Sequence, residues 1–404
     1  MLAVIVAALG YFVDIYDLIL FSIVRKESLL AIGVPAADLL DKGAYLLNMQ
    51  MGGMLIGGIF WGVLGDKKGR LSVLFGSIFL YSLANIANGF VTSLPAYAAL
   101  RLIAGIGLAG ELGAGVTLVS ELLPKETRGI GSSIIASVGL LGAGLAWLVA
   151  HAGWRTAYFV GGALGLCLLA LRFGVRESRL FSSLEKVDGV TRGDFFAFFK
   201  TRERAVRFIA STLIGVPIWY VVGILMTFSP EIGKAMGMHE IPNPGNAVLT
   251  CYMGGSLGDL LSGLISQKLK SRKKVVLAYL IAVVCFVAAY FTIGTLSVTA
   301  FYAVCFCLGL GFGYWALFVT MASEQFGTNL RSTATTSIPN LVRGSVIPLT
   351  SLFAFLKTPH GGGTALLDVR GSAIVVGVLA LGIALTSLSF LKETFGRDLD
   401  FVEE

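Results

Sequence analysis

The sequence predicts an all-α membrane protein in which twelve transmembrane helices form two related six-helix bundles. Of its 404 residues, 56% are hydrophobic and only 14% are charged, whereas a soluble domain carries about 25% charged residues. The mean hydropathy is +0.83. Apolar runs of bilayer length recur along the chain and lack the alternation of barrel strands, so the backbone must be satisfied within helices.

The twelve spans follow from the apolar runs, because a spanning helix needs about 20 mostly apolar residues. They cover residues 2–24, 44–64, 71–91, 95–122, 129–151, 154–173, 205–228, 246–266, 275–296, 298–322, 333–356 and 371–391. The first run is too long for the core of a signal peptide, so we expect it to be a retained membrane helix.

One long polar stretch separates the sixth run from the seventh and predicts the domain organisation. The N-terminal bundle covers 1–174, a cytoplasmic linker covers 175–204, and the C-terminal bundle covers 205–404. Most of the 31 Lys and Arg residues fall in the linker and in the other loops on its side. The positive-inside rule then predicts a multi-pass protein of the plasma (inner) membrane with both termini in the cytoplasm.

Composition also argues against several classes of protein. The net charge of +7 is expected from basic loops that set orientation, so no nucleic-acid partner is predicted. The five cysteines lie in or beside apolar runs and fit small buried hydrophobes better than disulfides. The sequence shows no metal cluster, phosphate loop or nucleophile–base pair, so we predict no cofactor, no metal and no enzymatic activity.

An internal repeat relates the two halves. Glu121 precedes Arg128 by seven positions, and Glu324 precedes Arg331 by the same spacing. Internal repeats with a binding site between them near the bilayer midplane are the usual build of secondary transporters.

The loop after the second span carries a recognisable motif. Residues 62–70 read Gly-Val-Leu-Gly-Asp-Lys-Lys-Gly-Arg, and this resembles the G-x-x-x-D-[RK]-x-G-[RK] signature of the major facilitator superfamily. The resemblance implies a transporter that works by alternating access, with this loop as a cytoplasmic gate. The expected gate residues are Gly62, Asp66, Lys67, Gly69, Arg70, Glu121, Arg128, Glu324 and Arg331. We expect the Asp66 carboxylate to cap a helix N-terminus and to pair with a nearby arginine.

Three shorter motifs narrow the resemblance. The run Arg101-Leu-Ile-Ala-Gly-Ile-Gly is similar to the R-x-x-x-G-x-G of proton-coupled sugar porters. Gly110-Glu111 with the later Glu121-Leu-Leu-Pro is similar to a pattern of metabolite and sialate symporters. Asp14-Ile-Tyr-Asp17 resembles the D-G-[YF]-D of aromatic-acid and sialate symporters, but has Ile15 where those families have Gly.

Ionisable side chains at membrane depth are functional candidates, because each costs several kcal/mol unless it is paired or hydrated. The residues identified are Asp14, Asp17, Arg101, Glu111 and Arg343. The resemblance aligns Asp17 with a proton-coupling aspartate and Arg101 with its partner, so we expect this pair to couple the proton; the alternative is a static salt bridge. Glu111 fits a second proton site, a substrate ligand or a structural hydrogen bond.

Arg343 is the residue that predicts the chemistry of the substrate. Arginine suits bidentate binding of a carboxylate or phosphate, so we expect an anionic or zwitterionic small molecule. The alternative is that Arg343 pairs with Glu111 or Asp14 across the cavity. The other expected substrate contacts are Asn340, Trp219, Tyr220, Tyr314, Trp315 and Gln50, although Gln50 could simply hold helices together.

These observations predict a secondary active transporter, monomeric and surrounded by lipid, that imports a small organic acid or zwitterion together with protons. The alternative is a drug or metabolite antiporter that exports its substrate. Exporters of this superfamily usually carry a Gly-Pro motif on the fifth helix, and the run from Ser137 to Gly144 has no proline. A third possibility is a non-transporting scaffold, which would have no use for the gate motif or for charges at midplane.

Overall fold

The computed structural model describes residues 2–111, 113, 128–171, 194–327, 329–358 and 365–396, and the regular structure in these ranges is helical throughout, with no β-strand. Their helices form twelve membrane elements, which we number α1 to α12. In the first half these are α1 (Leu2–Ala31), α2 (Leu39–Lys68), α3 (Arg70–Asn88), α4 (from Leu94–Leu108), α5 (Arg128–Leu140 and Gly142–Ala150) and α6 (Trp154–Leu171).

The second half contains six further elements, of which three are interrupted. They are α7 (Arg202–Leu213, Val216–Tyr220, the π-helical Val221–Met226, and Ser229–Ala235), α8 (Pro244–Leu269), α9 (Arg272–Tyr290), α10 (Val298–Phe312 and Trp315–Glu324), α11 (Arg331–Gly344 and Val346–Lys357) and α12 (Val369–Ser389). The sequence predicts continuous spans for α7, α10 and α11. In the structure, α7 is interrupted at Gly215, α10 at Gly313 and α11 at Ser345, which follows Gly344. Glycine, and proline such as Pro217 just after the first break, weaken a helix interior.

The predicted fold class is confirmed. Within the described ranges, eight helices are long and apolar enough to cross a bilayer, and Ser72–Asn88, Leu94–Leu108 and Ile134–Ala150 are shorter apolar helices. The first span is longer than predicted, because α1 continues past residue 24 to Ala31. This extension carries Arg25, Lys26 and Glu27, charges that the apolar-run criterion excluded.

Close glycine contacts hold two pairs of helices together, one pair in each half. A Cβ added to Gly53 would overlap the Leu102 carbonyl of α4, and a Cβ added to Gly254 would overlap the Phe306 carbonyl of α10. Gly105 and Gly309 face back onto α2 and α8 in the same way. These glycine seams bring α2 against α4 and α8 against α10 at backbone distance, as expected for packing in lipid. The matching pairs show that the two halves repeat one arrangement.

Other contacts repeat in the same way. Helices α3 and α9 each contain 19 residues. The Tyr16 hydroxyl donates to the Ala157 carbonyl of α6 at 2.8 Å, and the Tyr220 hydroxyl donates to the Ala373 carbonyl of α12 at 2.9 Å. The repeat that Glu121–Arg128 and Glu324–Arg331 indicate therefore extends through the packing of each half.

Substitution in a glycine seam should prevent folding. In Gly309→Val, the branched side chain would collide with the Cys251 carbonyl, which cannot withdraw without separating α8 from α10. We expect little or no monodisperse protein on size-exclusion chromatography in detergent. Gly382→Val is the matched control, because nothing lies within 4 Å of a Cβ at that position. Equal recovery of the two variants would contradict the role of the seam.

The described end of the linker lies against the second half. Residues 175–193 are outside the described ranges, whereas Phe195–Phe199 forms a short 3-10 helix. Phe198 stacks on Phe208 of α7 with ring centroids 4.5 Å apart, and Phe196 is 76% exposed. A hydrogen bond from Lys200 holds the pKa of the Asp194 carboxyl below its usual value. An exposed aromatic ring beside charges fits a segment at the membrane interface.

Candidate functional site

An ion pair joins the two halves at the centre of the molecule. Arg343 Nη2 of α11 lies 3.5 Å from Asp14 Oδ2 of α1, and both side chains are completely buried. The described residues offer no hydrogen-bond partner to either oxygen of Asp14, nor to Nε and Nη2 of Arg343. The pair is therefore held by charge at a distance too long for a hydrogen bond, and its polar atoms retain unused bonding capacity.

Asn340 fixes the orientation of the Arg343 guanidinium. Its Oδ1 accepts from Arg343 Nη1 at 3.2 Å, and its Nδ2 donates to the carbonyls of Ala109 at 2.8 Å and Thr336 at 2.7 Å. The bond to Ala109 ties α11 to α4 of the other half. Asn340, which was expected to contact the substrate, therefore bonds directly to Arg343 on the same face of α11.

Two further expected residues lie around this pair. Trp315 of α10 faces the guanidinium, with Arg343 Cζ 5.4 Å from its ring centroid. Glu111 of α4 is buried and lies within electrostatic reach of Asp14. The structure therefore brings together Asp14, Glu111, Arg343, Asn340 and Trp315 from four helices.

The expected pair of Asp17 with Arg101 is not formed in this structure. Arg101 instead donates to Gln50 Oε1 of α2 and to the Tyr158 hydroxyl of α6 at 3.4 Å. Both Asp17 oxygens lack a hydrogen-bond partner among the described residues, and the carboxylate packs where Gly161 of α6 leaves room for it. Gln50 is thus the partner of Arg101 through its Oε1, while its Nε2 has no hydrogen-bond partner among the described residues. Its role as a substrate contact stays a prediction.

The four aromatic candidates divide into two groups. The hydroxyls of Tyr220 and Tyr314 are used within the second half, because they donate to the carbonyls of Ala373 and of Ile214, the latter at 2.8 Å. The structure does not place these tyrosines at the central pair. Trp219 and Trp315 are each 4% exposed, and their indole Nε1 groups have no hydrogen-bond partner in the described part of the chain. Trp219 retains a free donor, whereas the Trp315 indole lies close to the Tyr11 side chain.

Sequence reasoning missed Asp259, although it lies in the middle of the predicted eighth span. The residue is completely buried on α8, and its Oδ1 accepts from the Ala316 backbone N–H at 2.9 Å. It thereby caps the second segment of α10, which begins after the interruption at Gly313. Its Oδ2 has no partner within the described ranges. An aspartate at mid-span was the available signal, by the same rule that identified the other five.

We name the two ends of the bundle by the expected orientation, and the inner end carries the motif of residues 62–70. Helix α2 ends at Lys68, and the chain turns at Gly69 with φ of 91°, a left-handed value that glycine adopts without strain. Asp66 Oδ2 accepts from the backbone N–H of Thr333 at 2.9 Å and from its hydroxyl at 2.5 Å. Thr333 lies in the first turn of α11, so the predicted helix cap is confirmed and joins the two halves.

The remaining gate candidates lie in different places. Lys67 is exposed. Glu324 Oε1 pairs with Arg272 Nη2 at 3.3 Å within the second half. Arg331 donates to the Phe326 carbonyl at 3.4 Å. All of Glu121 and the side chains of Arg70 and Arg128 lie outside the described part of the chain.

A second contact between the halves closes the outer end, and sequence reasoning missed it. Arg25 of α1 is completely buried, and its Nη2 donates to both carboxylate oxygens of Glu231 at 2.8 and 3.1 Å. It also donates to the carbonyls of Leu39 and Thr227, and its Cζ lies 4.8 Å from the Phe228 ring centroid. The predicted first span ended at residue 24, so Arg25 was expected in a loop. A charged residue in a loop is common and gives no reason to expect a functional contact.

Further polar contacts join the halves at the outer end, and cavities lie beside them. Ser22 and Thr227 share a hydrogen bond of 3.0 Å, and Lys357 Nζ lies 2.9 Å from Asp41 Oδ1. One cavity of about 450 Å³ is lined by residues that include Glu27. Another, of about 630 Å³, is lined in part by Asp41, Glu231 and Lys357. Contacts at both ends place the central pair in an enclosed position.

Comparison with known proteins identifies the family. The sequence profile of the Major Facilitator Superfamily matches residues 7–351. The chain belongs to the major facilitator superfamily. It is therefore a membrane transporter and not an enzyme, and the resemblance carried by residues 62–70 is confirmed.

Several named transporters are similar to this chain along most of their length. A niacin transporter of Acinetobacter baylyi is 25% identical over 332 residues, which cover 72% of this chain and 73% of the relative. A gentisate transporter of Corynebacterium glutamicum is 24% identical over 396 residues, covering 92% and 84%. A sialic acid transporter of Escherichia coli is 24% identical over 391 residues, covering 93% and 92%.

Solved structures support the fold. The proton:xylose symporter XylE bound to 6-bromo-6-deoxy-D-glucose superimposes with a TM-score of 0.72 and 16% sequence identity, covering 99% of this chain and 97% of that one. At 16% identity the similarity establishes the fold alone. The substrate has to be inferred from the side chains of the site.

Proposed function

We propose that this transporter carries a small organic anion, of the aromatic carboxylate type, into the cell together with a proton. The observation that carries the proposal is the central pair of Asp14 and Arg343, because each member retains hydrogen-bonding capacity that the protein does not fill. A site of this kind can exchange one carboxylate for another.

Arg343 is the proposed anchor of the substrate carboxylate. Its guanidinium is already oriented by Asn340 and leaves Nε and Nη2 free, which suits bidentate binding. Trp315, which faces the guanidinium, offers an aromatic surface to the substrate, and Trp219 with its free indole N–H is the further proposed contact. The relatives named for niacin, gentisate and gallate point to the same chemistry, since each of these compounds bears a carboxyl group on an aromatic ring.

Coupling to the proton follows from the cost of a buried charge. When a substrate carboxylate binds Arg343, Asp14 loses its partner, and an unpaired carboxylate in a buried site costs several kcal/mol. Asp14 relieves this cost by taking a proton, so the anion and the proton are occluded together. Asp17 and Glu111, which are both buried nearby, are the further proposed proton sites. The positive charge of Arg101 on α4 would compensate the negative charge of Asp17 when that residue is ionised.

The proposed alternating access uses the two contacts between the halves as gates. The bond of Asp66 to Thr333 closes the inner end, and the pair of Arg25 with Glu231 closes the outer end. Release of one gate at a time would expose the central pair to one side of the membrane. As part of the same proposal, both termini lie in the cytoplasm and the transporter works as a monomer in the inner membrane.

The proposal is tested with purified protein in liposomes. We expect uptake of radiolabelled nicotinate, gentisate or gallate to require an inside-alkaline pH gradient and to collapse when an ionophore abolishes it. Uptake that ignores the gradient would refute proton coupling, and failure to take up any of these carboxylates would refute the substrate class. If lipophilic cations move in the direction opposite to the proton flux, the result would support a proton-coupled exporter instead.

A further inference from the structure

Buried hydroxyl groups form a continuous chain through the first half, apart from the central pair. The hydroxyls of Tyr97 on α4 and Tyr158 on α6 are 2.7 Å apart, and the Tyr97 hydroxyl lies 3.3 Å from Ser28 Oγ on α1. Arg101 Nη1 lies 3.4 Å from the Tyr158 hydroxyl. Ser28, Tyr97, Tyr158 and Arg101 are all completely buried, so this chain, which we call the hydroxyl chain, is shielded from lipid.

The hydroxyl chain leads from the outer end toward Asp17. Ser28 lies near the outer end of α1, next to Glu27, which lines the outer cavity of about 450 Å³. At the other end, the Asp17 carboxylate packs against Gly161, one helical turn beyond Tyr158 on α6. Asp17 lies within electrostatic reach of Tyr158, and neither of its oxygens has a hydrogen-bond partner among the described residues.

We propose that the hydroxyl chain of Ser28, Tyr97 and Tyr158 is a proton relay that loads Asp17 from the outer side by a route separate from the substrate path. The inference rests on the proposed proton coupling and adds its entry route. The protonation state of Asp14 would then depend on whether substrate occupies Arg343. The protonation state of Asp17, one turn along the same helix, would depend on the external pH.

The proton balance needs no ionised tyrosine. A proton arriving at Ser28 Oγ allows the serine to pass its own proton to the Tyr97 oxygen, and Tyr97 passes its hydroxyl proton to Tyr158. Tyr158 and Asp17 share no hydrogen bond in this structure, so the last transfer requires the two side chains to come within hydrogen-bond distance. Tyr158 then passes its proton to an Asp17 oxygen, so each hydroxyl ends with one proton and only the carboxylate gains one. Rotation of the hydroxyls then resets the chain, in which Tyr97 donates outward to Ser28 in this structure.

The surroundings of Asp17 favour this role. Asp14 and Tyr16 face it from α1, Asn85 from α3, Arg101 from α4 and Tyr158 from α6. Arg101 is engaged by Gln50 and Tyr158, so its charge is close to Asp17 without being committed to it as an ion-pair partner. Asp17 can therefore alternate between a protonated and an ionised form.

The test follows protonation of Asp17 directly and needs no substrate. After an external pH jump on the full chain in liposomes, rapid-scan infrared spectroscopy records the carboxylic acid band that disappears in Asp17→Asn. We expect Tyr97→Phe and Tyr158→Phe to slow the appearance of this band at least about tenfold, since a positioned proton donor contributes about 10²–10⁴ in rate. Tyr290→Phe, which removes another completely buried hydroxyl, one that donates to Leu225, should leave the rate unchanged.

Three other outcomes of this experiment would contradict the proton relay. Wild-type rates in both relay variants, a band that persists in Asp17→Asn, or equal slowing in Tyr290→Phe would overturn the relay. A failure of the proposed function looks different, because wild-type protein would then show no proton movement when gentisate is added, whatever the rate at which Asp17 is loaded.

Discussion

Arg343→Gln is expected to weaken binding of a carboxylate substrate by about 100-fold or more. Loss of one partner from a buried charge pair costs about 3–5 kcal/mol, and each 1.4 kcal/mol corresponds to about tenfold in affinity. Glutamine keeps most of the volume but removes the positive charge that faces Asp14. Equilibrium binding of radiolabelled gentisate to purified protein measures the effect.

Two comparisons separate this effect from misfolding. Arg155→Gln removes an arginine that donates to the carbonyls of Gly89 and Val91, far from the central pair, and should leave affinity unchanged. The double variant Asp14→Asn with Arg343→Gln removes both buried charges and should recover the thermal stability lost in the single variant, while gentisate binding stays weak. Wild-type affinity in Arg343→Gln would remove Arg343 from the substrate site.

Arg25→Gln is expected to open the outer end of the transporter. The substitution removes two hydrogen bonds to Glu231 and the charge over the Phe228 ring, all of which join α1 to α7 across the halves. Removing one partner of a largely buried ion pair costs a few kcal/mol, enough to shift a conformational equilibrium by at least about tenfold. The conformational readout is Val24→Cys, a position that is 2% exposed, in a background without the native cysteines.

We expect a membrane-impermeant thiol reagent to label Val24→Cys about tenfold faster in the Arg25→Gln background than with Arg25 intact. Lys357→Gln is the control, since it removes another pair between the halves at the same end, but one in which Asp41 is 62% exposed and which should contribute little. Equal labelling rates with and without Arg25 would show that the pair with Glu231 does not hold the outer end closed.

The sequence predicts the helices well because lipid makes the requirement for apolar length nearly absolute. It also indicates the turn at Gly69, since a left-handed turn is a local feature that favours glycine. The sequence indicates that Asp66 caps a helix, but the helix that it caps, α11, begins more than 260 positions later. Asp14 and Arg343 could be identified as candidates by their cost at membrane depth.

Partners across the fold could not be predicted in the same way. Arg25 and Glu231 are 206 positions apart, and nothing in either local sequence indicates the other. Arg101 binds Gln50 and Tyr158 in place of Asp17, because an amide oxygen and a phenol serve a guanidinium as well as a carboxylate does when the packing presents them. Asp259 differs from these cases, because its position in the middle of a predicted span identifies it as a candidate by the same rule as the other five charges.

The interruptions of α7, α10 and α11 bear on how this transporter could diversify. All three lie in the second half, and α10 and α11 supply Trp315 and Arg343 to the site. The first half has one such break, between the two segments of α5, which carries none of the central charged residues. A helix that is already broken can bend or shift by a fraction of a turn without losing further backbone hydrogen bonds. The first half keeps Asp14 and Asp17 on the uninterrupted α1. The substrate range can thus change through the second half while the proposed proton-coupling residues of the first remain undisturbed.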